Sequence, residues 1–264
     1  MSIYLLYAAC GSIGGFLGGL LGLGGGIIFV PTLFFIFTIY GINSEHLMQS
    51  AVSTSLACVV ISSLSAAIKH NKNNLVNWNI FYKMLPGLIL GSILGVTLIT
   101  LLSNEIIKIY YGILLILIAT YLIFEKDRLV NTSYIPKKFR FISTFSFFTS
   151  AVSTMLGIGG GTLTTPYFKY FGETMKRSIA TAAACGVPIA LFGIMITFLV
   201  NMFLKISDNT ILDFISFDAF VIMSLSTLIF SYLGADVAFK TNTEILKNIF
   251  SVTLFITGLT ILVF

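Results

Sequence analysis

Leu21-Gly22-Leu23-Gly24-Gly25-Gly26, with Pro31 five residues further on, recurs as Leu156-Gly157-Ile158-Gly159-Gly160-Gly161, with Pro166 at the same distance. These two stretches decide how the chain folds. Each lies near the middle of an apolar block, about 3–40 and 141–171, that is too long for one membrane crossing of roughly 20 residues. Glycine frees the backbone to take positive φ, and inside a helix it costs about 1 kcal/mol relative to alanine. Each long block is therefore expected to be a helical hairpin broken at its glycines, either re-entrant or crossing fully twice. One long tilted helix is the poorer reading.

The rest of the chain sets the solvent. Of 264 residues, 57% are hydrophobic and only 9% charged, and the mean hydropathy is +1.00. A soluble domain carries about a quarter charged residues, so a soluble globule, a disordered chain and a nucleic-acid binder are all disfavoured. The N-terminus does not read as a signal peptide, because no basic residue precedes the apolar stretch and no small-residue cleavage site closes it. Polar breaks leave six further apolar blocks of single-crossing length: about 47–68, 84–102, 106–124, 178–204, 214–236 and 245–264. The lipid bilayer is thus the first partner.

Basic residues choose the orientation. Lys69, Lys72 and Lys83 flank one loop, and Lys126, Arg128, Lys137, Lys138 and Arg140 fill the central one. Lys169, Lys176 and Arg177 mark a third, Lys240 and Lys247 a fourth. If both hairpins return to the side they entered from, these thirteen share a face and only Lys108 and Lys205 lie opposite. The positive-inside rule makes the thirteen cytoplasmic and both termini external.

A second match, Asn104-Glu105-Ile106-Ile107-Lys108 against Thr243-Glu244-Ile245-Leu246-Lys247, follows the glycine motifs in the same order and at a similar spacing. The expected architecture is an all-α polytopic membrane protein of two inverted repeats, each a broken helical hairpin plus three transmembrane helices. Residues 1–124 form the first repeat, 125–140 a basic cytoplasmic linker, and 141–264 the second. An odd number of net crossings per half upends one half relative to the other. Inverted repeats with helices broken near the midplane are the architecture of many secondary transporters.

A helix that restarts after a glycine run presents amides without intrahelical acceptors, and its dipole adds positive potential there. Gly22, Gly24, Gly25 and Gly26, with Gly157, Gly159, Gly160 and Gly161, are therefore candidate anion-binding backbone. Thr162 and Thr164 add hydroxyls to the second tip, whereas Ile27, Ile28 and Phe29 follow the first. The second tip is expected to carry more of any oxyanion contact. Neither is a nucleotide loop, since no Gly-Lys-Ser/Thr follows. The next block opens with Gln49, Ser50, Ser53, Thr54 and Ser55, with Ser62, Ser63 and Ser65 further along. As a cluster beside the tips these are candidate substrate donors, Ser53 and Thr54 foremost because they lie close enough along a helix to face one cavity. Its counterpart has Ser178, Thr181 and an alanine run, with Pro188 expected to break the helix.

Other residues invite plainer readings. Gly14, Gly15, Gly18, Gly19, Gly91 and Gly95 suit close helix packing. Cys10, Cys58 and Cys185 lie in apolar runs, which implies buried inert thiols rather than disulfides. Asp236 is expected to pair with Lys240 one turn on, and Trp78 with Tyr82 and Lys83 to anchor at an interface. His70, and Glu45 with His46, lie at opposite ends of the second block. Loop histidines are usually solvated, although one titrating near neutrality permits proton coupling. No carboxylate pair lies inside the spans, so no catalytic residue, metal site or cofactor is expected.

The duplicated Gly-x-Gly-Gly-Gly-(x)4-Pro, followed by small-residue helices such as Ala51-Val52-Ser53-Thr54-Ser55, resembles the sulfite exporter TauE/SafE family over essentially the whole chain. That resemblance implies a permease of the bacterial inner membrane. Its cargo would be a small sulfur-containing anion such as sulfite or an organosulfonate. With no ATP-binding signature in the sequence, the energy is expected from an ion gradient, of protons or sodium, or from the substrate's own. Phe16, Phe29, Tyr167 and Phe192 are candidates to meet a sulfonate tail. The alternative is an anion channel or an accessory membrane subunit.

Overall fold

The computed structural model of the chain describes residues 2–42, 46–124, 139–204 and 215–263. Among these, ten α-helices and no strand are formed: α1 (Ile3–Leu21), α2 (Gly26–Tyr40), α3 (Leu47–Lys72), α4 (Trp78–Leu101) and α5 (Asn104–Phe124), then α6 (Phe139–Met155), α7 (Gly161–Tyr170), α8 (Met175–Leu204), α9 (Phe217–Lys240) and α10 (Thr243–Val263). The six single-crossing blocks are α3, α4, α5, α8, α9 and α10. With α1 they make seven helices long and apolar enough to span a bilayer among the described residues. Large apolar side chains such as Leu117, Leu225 and Ile229 are exposed on the outside, as a lipid-facing surface requires. The basic linker residues Lys126, Arg128, Lys137 and Lys138, with Glu45 and Lys205, lie outside the described residues.

Both long blocks break at their glycines. α1 ends at Leu21 and α2 starts at Gly26; α6 ends at Met155 and α7 starts at Gly161. At 1.5 Å per residue the 19-residue α1 is about 28 Å long, close to the full hydrocarbon thickness. One expectation fails: Pro188 does not break its helix. α8 runs unbroken through it, because in a membrane bundle neighbouring helices and hydroxyls satisfy the carbonyl that proline leaves free.

Helix contacts pair across the two halves. α1 lies along α9 as α6 lies along α4; α3 touches α9 as α8 touches α4; α2 packs on α3 as α7 packs on α8. The α3–α8 and α5–α10 contacts are each their own counterpart.

Small residues make these contacts close. On α1, Gly11, Gly15 and Gly19 face the backbones of Met223, Thr227 and Ser231 on α9. On α4, Gly87, Gly91 and Gly95 face Ser143, Phe147 and Ala151 on α6. Lipid tails are as apolar as leucine, so helices associate through close contact and interhelical hydrogen bonds. Thr227 donates to the Gly11 carbonyl at 2.9 Å and Ser231 to the Ser62 carbonyl at 2.7 Å; Ser150 donates to Leu88 at 2.6 Å and Ser146 to Met84 at 2.9 Å. Gly15, Gly19, Gly91 and Gly95 thus serve packing between helices. Gly14 and Gly18 serve it within the first hairpin, against Phe29 and Gly25.

Candidate functional site

The two tips meet. A Cβ added at Gly26, where α2 begins, would run into the Gly157 carbonyl and come within 2.7 Å of Ile158 Cα. One added at Gly161, where α7 begins, would run into the Gly22 carbonyl and come within 2.9 Å of Leu23 Cα. One at Gly24 would lie 3.6 Å from Gly159 Cα. Each restarting helix therefore abuts the chain reversal of the other hairpin, with Gly24 and Gly159 at the crossing. Only glycine permits this approach of backbone to backbone.

The tips differ in conformation. Gly22, Gly24 and Gly25 all take positive φ (72°, 67° and 82°), but in the second tip only Gly157 does, at 67°. Gly160 is right-handed at φ −56°, and what crowds it is the Ile189 side chain at 2.9 Å. The first amides bonded within the two restarting helices are those of Ile28, to the Gly25 carbonyl at 2.9 Å, and Thr164, to Gly160 at 3.1 Å. The amides before them, Gly26 and Ile27 in α2 and Gly161, Thr162 and Leu163 in α7, belong to first turns that lack intrahelical acceptors.

Hydroxyls complete the surroundings, and the structure sorts those the sequence offered. Thr162 is buried and its hydroxyl has no partner among the described residues. Thr164 instead donates to the Gly160 carbonyl of its own helix, the local bond that competes for threonine hydroxyls in helices. Thr54 accepts the Ser216 amide at 3.1 Å, so it faces the start of α9 and not a tip. Ser53 is buried on α3.

The face of α3 that meets the tips is Val52, Ser55, Val59 and Ser63, spaced at three and four residues so that they align on one side of the helix. Ser55 donates to the Gly157 carbonyl at 2.7 Å and so pins the second turn. Ser63, with a buried hydroxyl that lacks a partner among the described residues, lies 2.6 Å from the place of a Cβ on Gly24 and on Gly186. The sequence places Ser63 among the α3 hydroxyls without setting it ahead of Ser53 and Thr54, yet its side chain is the hydroxyl nearest the crossing. Its signal was present as the i, i+4, i+8 spacing of Ser55, Val59 and Ser63, but nothing in one sequence says which face of a polar-speckled helix turns inward.

The walls are apolar, with Val59 and Ile189 at the glycines. Tyr111 bridges the carbonyls of Gly26 (3.4 Å) and Ile27 (3.3 Å) with its hydroxyl, fixing the start of α2. Of the aromatic candidates, Phe29 is packed between Gly14 and Gly25, and Tyr167 stacks on Phe145 with ring centroids 3.7 Å apart. All three cysteines are free and buried, and no group of histidine, cysteine or carboxylate side chains among the described residues is placed to hold a metal ion.

Two further expectations meet a definite geometry. Asp236 does pair with Lys240 at 2.6 Å, and also with Lys69 of α3 at 2.6 Å. His70 is not solvated: it is buried, and its Nε2 lies 3.2 Å from the Gly19 carbonyl near the end of α1.

The sequence matches the family described as "Sulfite exporter TauE/SafE" over residues 7–261. It is 28% identical to a protein of Haemophilus influenzae named "Probable membrane transporter protein", over 97% of this chain and 96% of that one. A protein of Methanocaldococcus jannaschii, also named a probable membrane transporter, is 28% identical over 94% of this chain and 91% of its own length. The Bacillus subtilis protein "Probable membrane transporter protein YunE" is 28% identical over 62% and 66% respectively. No solved structure matches the chain.

Proposed function

The chain belongs to the sulfite exporter TauE/SafE family, and on that premise we propose that it is a secondary transporter. It moves a small sulfur-containing oxyanion, such as sulfite or an organosulfonate, across the bacterial inner membrane by alternating access. The observation that carries this reading is the contact between the two broken tips, Gly26 on Gly157 and Gly161 on Gly22. That contact brings the starts of two helices, whose first-turn amides lack intrahelical acceptors, into one region inside the bundle, where both dipoles favour negative charge.

The anion is held by the amides of Gly26, Ile27, Gly161 and Thr162 and by the hydroxyls of Thr162 and Ser63, with no full positive charge. Gly22, Gly24, Gly25, Gly157, Gly159 and Gly160 supply the turns that let those donors converge. Such a site replaces part of the anion's hydration without holding it too tightly to release. Two inverted halves are supported by the pairing of the main helix contacts, which recur with helices five apart exchanged. Rocking one half against the other exposes the crossing first to one side and then to the other. A proton or sodium ion couples the movement.

A shared face for the basic ends is supported by the Lys69–Asp236–Lys240 cluster, which joins the last turns of α3 and α9. With the positive-inside rule, that end is cytoplasmic and both termini are external. Purified protein reconstituted in liposomes tests the function. Saturable, ion-dependent flux of radiolabelled sulfite or sulfoacetate is expected. An ohmic anion current would make the protein a channel, and no flux of any sulfur oxyanion would remove the proposal.

A further inference from the structure

We infer that the groove between α3 and α9 is a binding site for an anionic phospholipid, with an acyl chain in the groove and the headgroup phosphate on Lys72. The groove has a volume of about 470 Å³ and is walled by Ile61, Leu64 and Ile68 from α3 and by Leu228, Ile229 and Leu233 from α9. Its one hydroxyl on the α3 side, Ser65, is already donated to the Leu228 carbonyl at 2.8 Å. Nothing polar is offered along its length, which suits a hydrocarbon chain and no hydrophilic ligand.

Charge gathers at one end only. Tyr232 also lines the groove, and its ring has the Lys69 ammonium 4.9 Å and the Lys72 ammonium 5.6 Å from its centroid. Asp236 is shared by Lys69 and Lys240, while Lys72 reaches the Tyr232 hydroxyl at 3.5 Å. Two ammonium groups on one carboxylate and a third on the neighbouring Tyr232 leave a positive surplus beside the mouth of an apolar slot. Basic pockets between transmembrane helices are suited to anionic headgroups. A second copy of this chain seated in the groove with the same orientation would bring its own lysine cluster to the same level, and like charges would oppose it. The lipid satisfies both the apolar wall and the surplus charge.

Native mass spectrometry of the delipidated full chain, titrated with phosphatidylglycerol and separately with phosphatidylcholine, tests this. Phosphatidylglycerol is expected to bind at least about fivefold more tightly, the worth of one lysine near an anionic surface. Lys72→Gln should remove most of that preference and leave phosphatidylcholine binding in place. Ile229→Trp, which fills the groove, should lower the occupancy of both lipids; Leu64→Trp replaces it from the α3 side if that variant does not fold. Equal affinity for the two lipids, a preference that survives Lys72→Gln, or unchanged occupancy in a folded groove-filled variant overturns the inference. A dimer that Ile229→Trp dissociates overturns it in favour of a second copy.

Discussion

Gly26→Ala isolates the contact between the tips, because it changes nothing else of consequence. Gly26 is the first residue of α2 and not among the glycines with positive φ, so alanine there meets no backbone strain. On intrinsic propensity alone alanine would favour the helix by up to about 1 kcal/mol. Against this, the new methyl would lie on the Gly157 carbonyl and 2.7 Å from Ile158 Cα, where ordinary contact begins near 3.4 Å. The tips must part by at least about 0.7 Å. Both obstructing atoms are backbone, so no rotamer change relieves the clash. Overpacking of this kind costs about 1–3 kcal/mol, and a net loss of up to about 2 kcal/mol remains after the propensity gain.

That loss leaves the protein folded but with its anion site pulled open. The assay pairs thermal unfolding in detergent with radiolabelled sulfite flux in liposomes. A lower melting temperature and flux near background are expected. Gly41→Ala is the control: Gly41 has φ 65° but nothing within 4 Å of its added Cβ, so it should cost about 1–2 kcal/mol from the backbone and leave flux intact. A Gly26→Ala protein that melts higher than the wild type and transports normally refutes the reasoning, because propensity would then have acted with no opposing contact.

Three other outcomes follow from the same geometry. Thr162→Val should weaken sulfite binding about fivefold by loss of one hydrogen bond worth about 1 kcal/mol, whereas Thr164→Val should change it little, its hydroxyl being bound to the Gly160 carbonyl; isothermal titration separates the two. Gly91→Leu should prevent folding or lower the melting temperature sharply, because its Cβ position is already filled by the Phe147 carbonyl and Ser150 Cβ of α6, as a fluorescence-detected sizing profile would report. Asp236→Asn should lower the melting temperature slightly at low salt and less at high salt, since Lys69 and Lys240 lose a partly exposed partner whose attraction salt screens.

Much of the fold was legible because the bilayer simplifies the rules. Length and apolarity alone delimit α3, α4, α5, α8, α9 and α10, since no backbone group may go unbonded in hydrocarbon. The breaks at Gly22–Gly25 and Leu156–Gly160 were legible because four glycines in five residues remove helix preference. Pro188 misled for the same reason that proline is tolerated in membranes: its local penalty is met by neighbours that a sequence does not display. Thr54 and Ser63 carry the lesson for the site. Both are small hydroxyls on one helix, but α3 is buried nearly all round, so its sequence has no polar face to betray the direction of the tips. Only the packing of α8 and α9 against it decides that Ser63 turns to the crossing and Thr54 to Ser216. His70 was misjudged likewise, because the Gly19 carbonyl that receives it is far away in sequence and exposed only by a glycine-lined helix.

The most direct measurement is a density map of the protein in lipid nanodiscs with and without sulfite, at a concentration shown to saturate transport. Added density is expected between Gly24–Ile27 and Gly159–Thr162, within hydrogen-bond reach of the Gly161 and Thr162 amides and the Ser63 hydroxyl. Sulfite bound elsewhere in the bundle, with the two turns packed shut in both maps, contradicts the account.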